Sequence, residues 1–256
     1  MRFHELLQQE KPFLGVFLQA ASPEFAEAAA WAGFSFAAVD LEHASFGTET
    51  MVSLLRAGQA AGMAMLARVS GLDTAQIKKS LDMGCDGIIV PNIDTAEQAA
   101  RAVALGKFTP QGIRGACPGV RANRYGAGGS EYYEKANRET VVIPLIESPL
   151  GVENIDAILA VPGVSAVFLG PIDLSVAMGL RGDANDPRVQ QALLHCVDRA
   201  RAAGVPAGAL SMDPAFIRTL CARGLGFVAY GIDTLLMTRL CQDIRRDVKT
   251  AVPDLL

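Results

Sequence analysis

The sequence predicts an α/β protein whose strands close into a (β/α)8 barrel. Its 256 residues match the length that such a barrel typically needs, about 250. It also contains eight apolar runs of strand length, and amphipathic segments with clear helix start and stop residues alternate with them. No GxGxxG follows the first run, which argues against an open dinucleotide-binding sheet. Parallel strands joined by helices are therefore expected throughout.

The eight apolar runs are nearly continuous, which is typical of parallel strands covered on both faces. In chain order they are FLGVFLQA, FSFAAVD, MAMLARV, DGIIVP, VVIPLIE, SAVFLG, VPAGAL and GFVAY, which end near residues 19, 40, 68, 91, 147, 170, 210 and 230. Most intervals between them fit one helix with its loops. The interval from 91 to 147 is much longer, and long extra loops are usually functional. No linker divides the chain, so residues 1–256 are predicted to form a single domain.

Helix boundaries are marked by capping residues. An N-cap residue, a proline at the first helical position and a terminal glycine recur at 22–33, 186–204 and 213–224. Asp73 with Gln76 three residues later predicts a capping box, and Gly84 ends that helix. A last helix over roughly 232–250 completes the alternation.

Composition excludes several classes of protein. The net charge of −4 provides no basic surface for nucleic acid or for an anionic membrane. No apolar run approaches the roughly 20 residues of a membrane span, and the N-terminus MRFHELLQQEKP is too polar for a signal peptide. The 5 cysteines show no CxxC spacing, so neither a disulfide framework nor a zinc site is expected. These features indicate a cytoplasmic protein.

Polar residues follow several of the predicted strands, at the barrel end where catalytic residues lie in this fold. They are Asp40, Glu42 and His43 after the second strand, Arg68 after the third, Glu147 after the fifth and Asp173 after the sixth. Two carboxylates from adjacent strands, with waters, suit a hard divalent cation such as Mg²⁺ or Mn²⁺. The alternative is that Glu147 caps the helix that follows it and Asp173 caps the turn after the sixth strand.

His43 and Arg68 each have a functional and a structural interpretation. Asp40 is close enough in sequence to orient the His43 ring, and a histidine pKa near neutrality suits proton transfer. A lone histidine is nevertheless more often structural. The Arg68 guanidinium suits a carboxylate or a developing enolate oxygen, or it simply pairs with an acid at a strand end. The turn FLGPID offers backbone N–H groups for an anion, although such turns are common.

The positions of the lysines argue against a Schiff-base mechanism. The chain has lysines at 11, 78, 79, 107, 135 and 249, none of them at the C-terminal end of a predicted strand. A Schiff-base mechanism needs a lysine in the active site. If the protein is an enzyme, we therefore expect a metal and an arginine to stabilise a carbanion.

The sequence resembles the HpcH/HpaI aldolase family of metal-dependent, pyruvate-forming aldolases, which includes 4-hydroxy-2-oxoheptanedioate and 2-dehydro-3-deoxyglucarate aldolases. The segments that carry the resemblance are SPEFAEAAAWAGFSFAAVDLEH, LARV, KKSLDMGCDGIIVPNIDTAEQA, PQGIRGACPGVRANRYG, ESPLGVENID and FLGPIDLSVAMG. It implies a (β/α)8 barrel of the phosphoenolpyruvate/pyruvate type, with the final helix exchanged between subunits of a homohexamer, a trimer of dimers.

The resemblance also implies roles for the residues at the strand ends. Glu147 and Asp173 would bind the metal, Arg68 would contact the keto oxygen of pyruvate, and His43, held by Asp40, would move protons through a metal-bound water. Glu42 would hydrogen-bond the metal-bound waters. The substrate would be enclosed by the backbone of Gly170, Pro171 and Ile172, which would hold its carboxylate, and by Leu210, which would pack beside its methyl group.

Two features of the sequence bear on substrate choice. Leu145 stands where the family commonly has glutamine, two residues before the metal-ligand glutamate, which puts the usual substrate spectrum in doubt. The long segment TPQGIRGACPGVRANRYGAGG carries three arginines that either recognise an acidic aldehyde or pair with acids at a subunit interface: Arg114, Arg121 and Arg124. Asp82 is expected at a helix end, on the surface or at an interface.

The predicted activity is that of a class II lyase, which reversibly cleaves a 4-hydroxy-2-oxo acid to pyruvate and an aldehyde. Mg²⁺ or Mn²⁺ is the expected cofactor, with Co²⁺ or Zn²⁺ as alternatives, and oxaloacetate decarboxylation is the expected side activity. Two alternatives are a citrate-lyase-like lyase of CoA esters and a non-catalytic oligomer that binds oxo acids. A CoA ester would need an adenine or phosphate site, which the sequence does not show, and a mere binder has no need for His43 and Arg68.

Overall fold

A computed structural model describes residues 1–252 as a closed barrel of eight parallel strands in the order β1 to β8. The predicted fold class is confirmed, and each predicted apolar run contains one strand. The strands are β1 (Phe13–Leu18), β2 (Phe36–Asp40), β3 (Ala64–Arg68), β4 (Gly87–Val90), β5 (Val141–Ile146), β6 (Val167–Leu169), β7 (Ala207–Leu210) and β8 (Phe227–Ile232). Residues 253–256 of the predicted domain lie outside the described residues.

Helices cover the outside of the barrel between successive strands, apart from the first helix, which precedes β1, and the last, which follows β8. They are α1 (Phe3–Leu6), α2 (Pro23–Trp31), α3 (Thr48–Ala60), α4 (Thr74–Asp82), α5 (Ala96–Gly106), α6 (Glu131–Glu139), α7 (Pro149–Glu153), α8 (Ile155–Leu159), α9 (Pro171–Ala177), α10 (Pro187–Ala203), α11 (Pro214–Arg223) and α12 (Asp233–Ala251). The long interval between β4 and β5 contains α5, a 3₁₀ segment (Arg121–Gly126) and α6. No described helix is long and apolar enough to cross a membrane.

The capping residues behave largely as the sequence predicts. The Ser22 side chain accepts a hydrogen bond from the N–H of Phe25, and Gly33 adopts a left-handed φ of 96° directly after α2. The capping box predicted at Asp73 is only half formed. Asp73 accepts from the first turn of α4, but the side-chain oxygen of Gln76 accepts from the N–H of Ser70, because the β3–α4 loop passes within its reach.

Aromatic rings close the N-terminal end of the barrel. Phe3, Phe13, Phe36 and Phe227 pack with ring centroids 5.3–5.7 Å apart, mostly edge to face. Glycines make room for them, since a Cβ at Gly15 would lie 2.2 Å from the Phe36 ring. This packing leaves the C-terminal end of the barrel as the open end.

Candidate active site

A cavity of about 460 Å³ lies at the C-terminal ends of the strands. Predicted site residues from five strand ends line it together: His43, Arg68, Glu147, Gly170, Pro171, Ile172, Asp173 and Leu210. Much of the remaining wall is apolar and includes Phe17, Leu145, Phe168, Met212 and Phe216. The closed barrel brings these side chains together from distant sequence positions. The open C-terminal end of the barrel, with this cavity, is called the mouth below.

Arg68, the last residue of β3, is held by Asp40, the last residue of β2. Its Nε donates to Asp40 Oδ1 at 2.9 Å and its Nη2 to Oδ2 at 2.5 Å. The guanidinium also lies 4.9 Å from the ring centroid of Phe17. Burial alone would raise the pKa of the fully buried Asp40 carboxyl, but the hydrogen bonds and charge of Arg68 outweigh it and keep that pKa lowered. Asp40 is therefore a fixed anion.

His43 lies in the turn after β2, with its side chain 54% exposed. The expectation that Asp40 orients its ring is wrong for the described residues. Asp40 instead accepts the backbone N–H groups of Glu42 and His43, because its own carboxylate is turned inward towards Arg68. The ring Nε2 of His43 is 3.7 Å from Glu42 Oε2, and Glu42 lies 3.5 Å from Arg68 Nη1. Asp40 thus positions the histidine through the backbone of the turn.

Glu147 is a buried carboxylate without an ion-pair partner among the described residues. It follows β5, is 7% exposed, and accepts the N–H of Asn92 at 2.8 Å. Burial raises the pKa of Glu147 to about 7, and repulsion from Asp173 and Glu42 adds to this rise. It does not cap the following helix, since Ser148 is the N-cap residue of α7. A buried, uncompensated carboxylate of this kind is where a cation binds most favourably.

Asp173 lies in the first turn of α9, whose N-cap residue is Gly170. The side chain is exposed to the cavity that Glu147 also lines. Residues 1–252 contain no group of three or more acidic, histidine or cysteine side chains arranged to bind a metal. Glu147 and Asp173 line the same cavity, and their role as metal ligands stays a prediction.

The three arginines predicted for acceptor recognition lie at the other end of the barrel in this chain. Arg114, Arg121 and Arg124 line a separate polar cavity with Gly84 and Thr140, which border the N-terminal ends of β4 and β5. They do not reach the mouth of their own barrel, because the segment that carries them returns to the start of β5. These arginines therefore do not line the cavity at the strand ends of their own chain, and both interpretations, acceptor recognition and pairing with acids at a subunit interface, stay predictions.

The family model for HpcH/HpaI aldolase/citrate lyase matches residues 14–239. This chain belongs to that family. A 5-keto-4-deoxy-D-glucarate aldolase of Salmonella arizonae is 38% identical over 232 residues, which cover 91% of this chain and 90% of that protein. The HpcH/HpaI chain is accordingly an enzyme of the carbon–carbon lyase class.

Solved structures of HpcH/HpaI proteins have the same fold. A Burkholderia cenocepacia J2315 family protein superimposes with a TM-score of 0.90 at 31% identity, covering 96% of this chain and 98% of its own. An HpcH/HpaI aldolase of Desulfitobacterium hafniense DCB-2 gives 0.89 at 29% identity, covering 97% of both chains. The likeness thus extends over the whole barrel.

Sequence reasoning missed two residues that support the site. Gln19 donates from its side chain to Asp40 Oδ2 at 2.7 Å. Asn92 has a left-handed φ of 56°, and this conformation directs its N–H towards Glu147. Their positions in the sequence could have indicated them, since Gln19 follows the C-terminal end of β1 and Asn92 that of β4. An uncharged amide in a loop is nevertheless too common a feature to single out.

Proposed function

We propose that the protein is a class II aldolase that reversibly cleaves a 4-hydroxy-2-oxo acid to pyruvate and an aldehyde. The observation that carries the proposal is Glu147, a buried carboxylate with no ion-pair partner among residues 1–252, in one cavity with Asp173, Arg68 and His43. Membership in the HpcH/HpaI family supports the same chemistry. The curated relatives are aldolases, so a CoA-ester lyase is not favoured.

Glu147 and Asp173 are the residues that would hold a divalent cation, with Mg²⁺ or Mn²⁺ preferred over Co²⁺ and Zn²⁺ because both ligands are carboxylates. The fit rests on charge, since burial raises the pKa of Glu147 to about 7 and a bound cation would favour its ionised form. When bound, the cation supplies a Lewis acid that withdraws charge from the keto oxygen of the substrate.

Arg68 is placed to stabilise the enolate. Its Nε and Nη2 are used by Asp40, which leaves Nη1 with only the longer contact to Glu42. That nitrogen is the donor we assign to the keto oxygen, whose negative charge grows as the carbon–carbon bond breaks. A planar guanidinium can serve both partners at once.

His43 is the group we assign to proton transfer. In cleavage it accepts the proton of the 4-hydroxyl, and the bond between C3 and C4 then breaks to give the aldehyde and the enolate of pyruvate. In the reverse direction it accepts a methyl proton of pyruvate. Glu42, next to the ring, would bind ordered water in the site.

The substrate carboxylate would bind at the turn before α9. The N–H groups of Ile172 and Asp173 belong to the first helical turn, where no helical acceptor exists. Gly170 keeps this turn close to Glu147, since a Cβ there would lie 3.0 Å from Glu147 Oε2. Leu210 at the end of β7 would pack against the methyl group. Decarboxylation of oxaloacetate is an expected side activity, because loss of CO₂ from oxaloacetate gives the same enolate of pyruvate.

The proposed assembly is a homohexamer, a trimer of dimers, formed by a single-domain chain in the cytoplasm. α12 supports it, because its exposed apolar side chains include Met237, Leu240 and Ile244. Free cysteines are compatible with a reducing compartment. Light scattering after size-exclusion chromatography tests the assembly, and a monomer at micromolar concentration would contradict it.

The activity is tested with purified protein, pyruvate, Mn²⁺ and a panel of aldehydes, with and without chelator. We expect aldol adducts, and deuterium exchange into the methyl group of pyruvate, that the chelator abolishes. His43→Ala should abolish exchange while Mn²⁺ affinity is kept, and Glu147→Ala should lose both. The absence of adducts with every aldehyde, together with the absence of exchange, would refute the proposed function.

A further inference from the structure

Asp40 is held on all sides at the mouth of the barrel. It is fully buried, and its Oδ1 accepts Arg68 Nε and the N–H groups of the β2–α3 turn. Its Oδ2 accepts two hydrogen bonds, one from Arg68 Nη2 and one from Gln19 Nε2 at 2.7 Å. The Gln19 amide is therefore the described contact, other than Arg68 itself, that fixes the orientation of Oδ2.

Gln19 is itself fixed from the last helix. Asp233, the first residue of α12, is fully buried and accepts the backbone N–H of Gln19 with Oδ1 and that of Ala20 with Oδ2, each at 2.9 Å. Its Oδ1 also accepts the N–H of Thr234. A continuous set of hydrogen bonds thus runs from the start of α12 through Gln19 and Asp40 to Arg68.

We infer that Gln19 is a positioning residue for Arg68, acting through Asp40 and seated by Asp233. The amide contributes a donor without a positive charge, so Asp40 is oriented while its negative charge remains paired with Arg68 alone. A lysine at this position would compete with Arg68 for the same oxygen. Neither Gln19 nor Asp40 lines the cavity, so the effect reaches the substrate only through the guanidinium.

The inference rests on the proposed role of Arg68 at the keto oxygen. With Gln19 present, both oxygens of Asp40 are fixed, and the guanidinium of Arg68 over Phe17 has one orientation. This orientation sets the position of Nη1, the donor assigned to the keto oxygen. Without Gln19, Arg68 Nη2 would be the one described donor left on Oδ2, so the carboxylate and the paired guanidinium can turn together by a small angle about the Cβ–Cγ bond of Asp40. A small misplacement of Nη1 affects the transition state, where charge has developed, more than the bound substrate.

The test is Gln19→Leu, which keeps the size of the side chain and removes the donor, with Gln8→Leu as the matched change at an exposed glutamine. Gln19→Asn, one methylene shorter, is the second variant if the first does not fold. We expect kcat for cleavage to fall about tenfold, the loss of one hydrogen bond to a charged group, with KM changed less than about threefold. Mn²⁺ affinity should stay within about twofold of the wild type, and Gln8→Leu should match the wild type throughout.

Crystal structures of the wild type and Gln19→Leu provide a readout that needs neither metal nor activity. We expect the Asp40 carboxylate to turn and the Arg68 guanidinium to move with it relative to the Phe17 ring. Unmoved Asp40 and Arg68, or a kcat within twofold of the wild type, would overturn the inference. A wild type without cleavage or exchange would instead refute the proposed function, while the crystal structures still decide the role of Gln19.

Discussion

Two arginines of this chain have nearly the same immediate surroundings at opposite ends of the barrel. Arg68 pairs with Asp40 and lies 4.9 Å from the ring centroid of Phe17. Arg114 donates to Asp82 at 2.7 Å and lies 4.4 Å from the ring centroid of Phe108. Both guanidiniums are largely buried. A paired, stacked arginine is therefore not in itself a mark of catalysis.

The two clusters differ in what lies beside them. Arg68 has Glu42 at 3.5 Å from its Nη1, and Glu147 lines the same open cavity without a cationic partner among residues 1–252. Arg114 instead donates to the hydroxyl of Tyr132. The Arg114 ion pair is neutral and a second buried cation, Lys107, lies near it, whereas the barrel end with Arg68 carries more carboxylates than the described cations neutralise. An excess of buried negative charge, rather than the ion pair, distinguishes the candidate site.

The largest effect is expected from Glu147→Gln, which removes that excess charge and keeps the hydrogen bond from Asn92. Activity should fall roughly a thousandfold, since a metal ligand supports several kcal/mol of charge stabilisation. Glu139→Gln at the N-terminal end is the matched control and should keep activity. Steady-state cleavage rates and Mn²⁺ titrations check both variants. Unchanged Mn²⁺ affinity in Glu147→Gln would exclude Glu147 as a ligand.

Arg68→Lys and Arg114→Lys test the comparison directly. An ammonium cannot hold Asp40 through two nitrogens and contact a substrate oxygen as well, so Arg68→Lys should lower kcat about a hundredfold. Arg114→Lys should cost stability, about 1–3 kcal/mol, because the stacking and paired contacts weaken, and should leave deuterium exchange into pyruvate within about threefold. Denaturant unfolding and exchange rates measure the two effects.

The opposite result for Arg114 would be informative. Loss of deuterium exchange in a folded Arg114→Lys variant would contradict the expectation that Arg114 contributes to stability alone. It would indicate that this end of the barrel meets the mouth of a neighbouring subunit. Arg121→Lys changes other contacts in the same cavity, those to the Met83 carbonyl and the Gln59 side chain. Normal exchange in Arg121→Lys would assign the loss to Arg114 itself, and a loss there too would assign it to the cavity as a whole.

The barrel and most of the residues at its C-terminal end were predictable because the end of each strand can be located from the sequence alone. Once VVIPLIE is recognised as a parallel strand, Glu147 must lie at the C-terminal end of the barrel, next to the neighbouring strand's Asp173. The partners of the side chains were predictable only in kind: the sequence offered an acid at a strand end as the partner of Arg68, but not which acid. Asp40 faces Arg68 instead of the His43 ring because β2 and β3 pair in register, with Asp40 beside Arg68, and sequence distance contains no such information.

The uncompensated charge at the mouth also predicts a pH dependence of stability in metal-free protein. Burial raises the pKa of Glu147 from its ordinary 4.5 to about 7, so the folded state binds a proton more tightly than the unfolded state. Stability should therefore be highest below about pH 4.5 as far as this group is concerned, decline as the pH rises towards 7, and then level off. The decline should be about 3 kcal/mol.

Urea unfolding of wild type and Glu147→Gln in EDTA, at pH 5 to 8, isolates this contribution. The difference in unfolding free energy between the two proteins should change across that range, because only the wild type carries the Glu147 carboxyl and every other titratable group is shared. Saturating Mn²⁺ should restore wild-type stability at high pH by binding the ionised carboxylate. Parallel pH profiles for the two proteins would show that Glu147 ionises without penalty.

The smallest expected effect concerns the apolar side of the same mouth. Leu145 is 2% exposed and lines the cavity near Gly170. Leu145→Gln places an amide there, which should cost about 1–3 kcal/mol of stability unless it bonds to Glu147. It should also shift preference among aldehydes a few-fold from apolar towards hydroxylated ones. Leu145→Met is the control, because it conserves volume and polarity. An unchanged aldehyde profile in Leu145→Gln would show that this wall contacts the oxo acid instead of the acceptor.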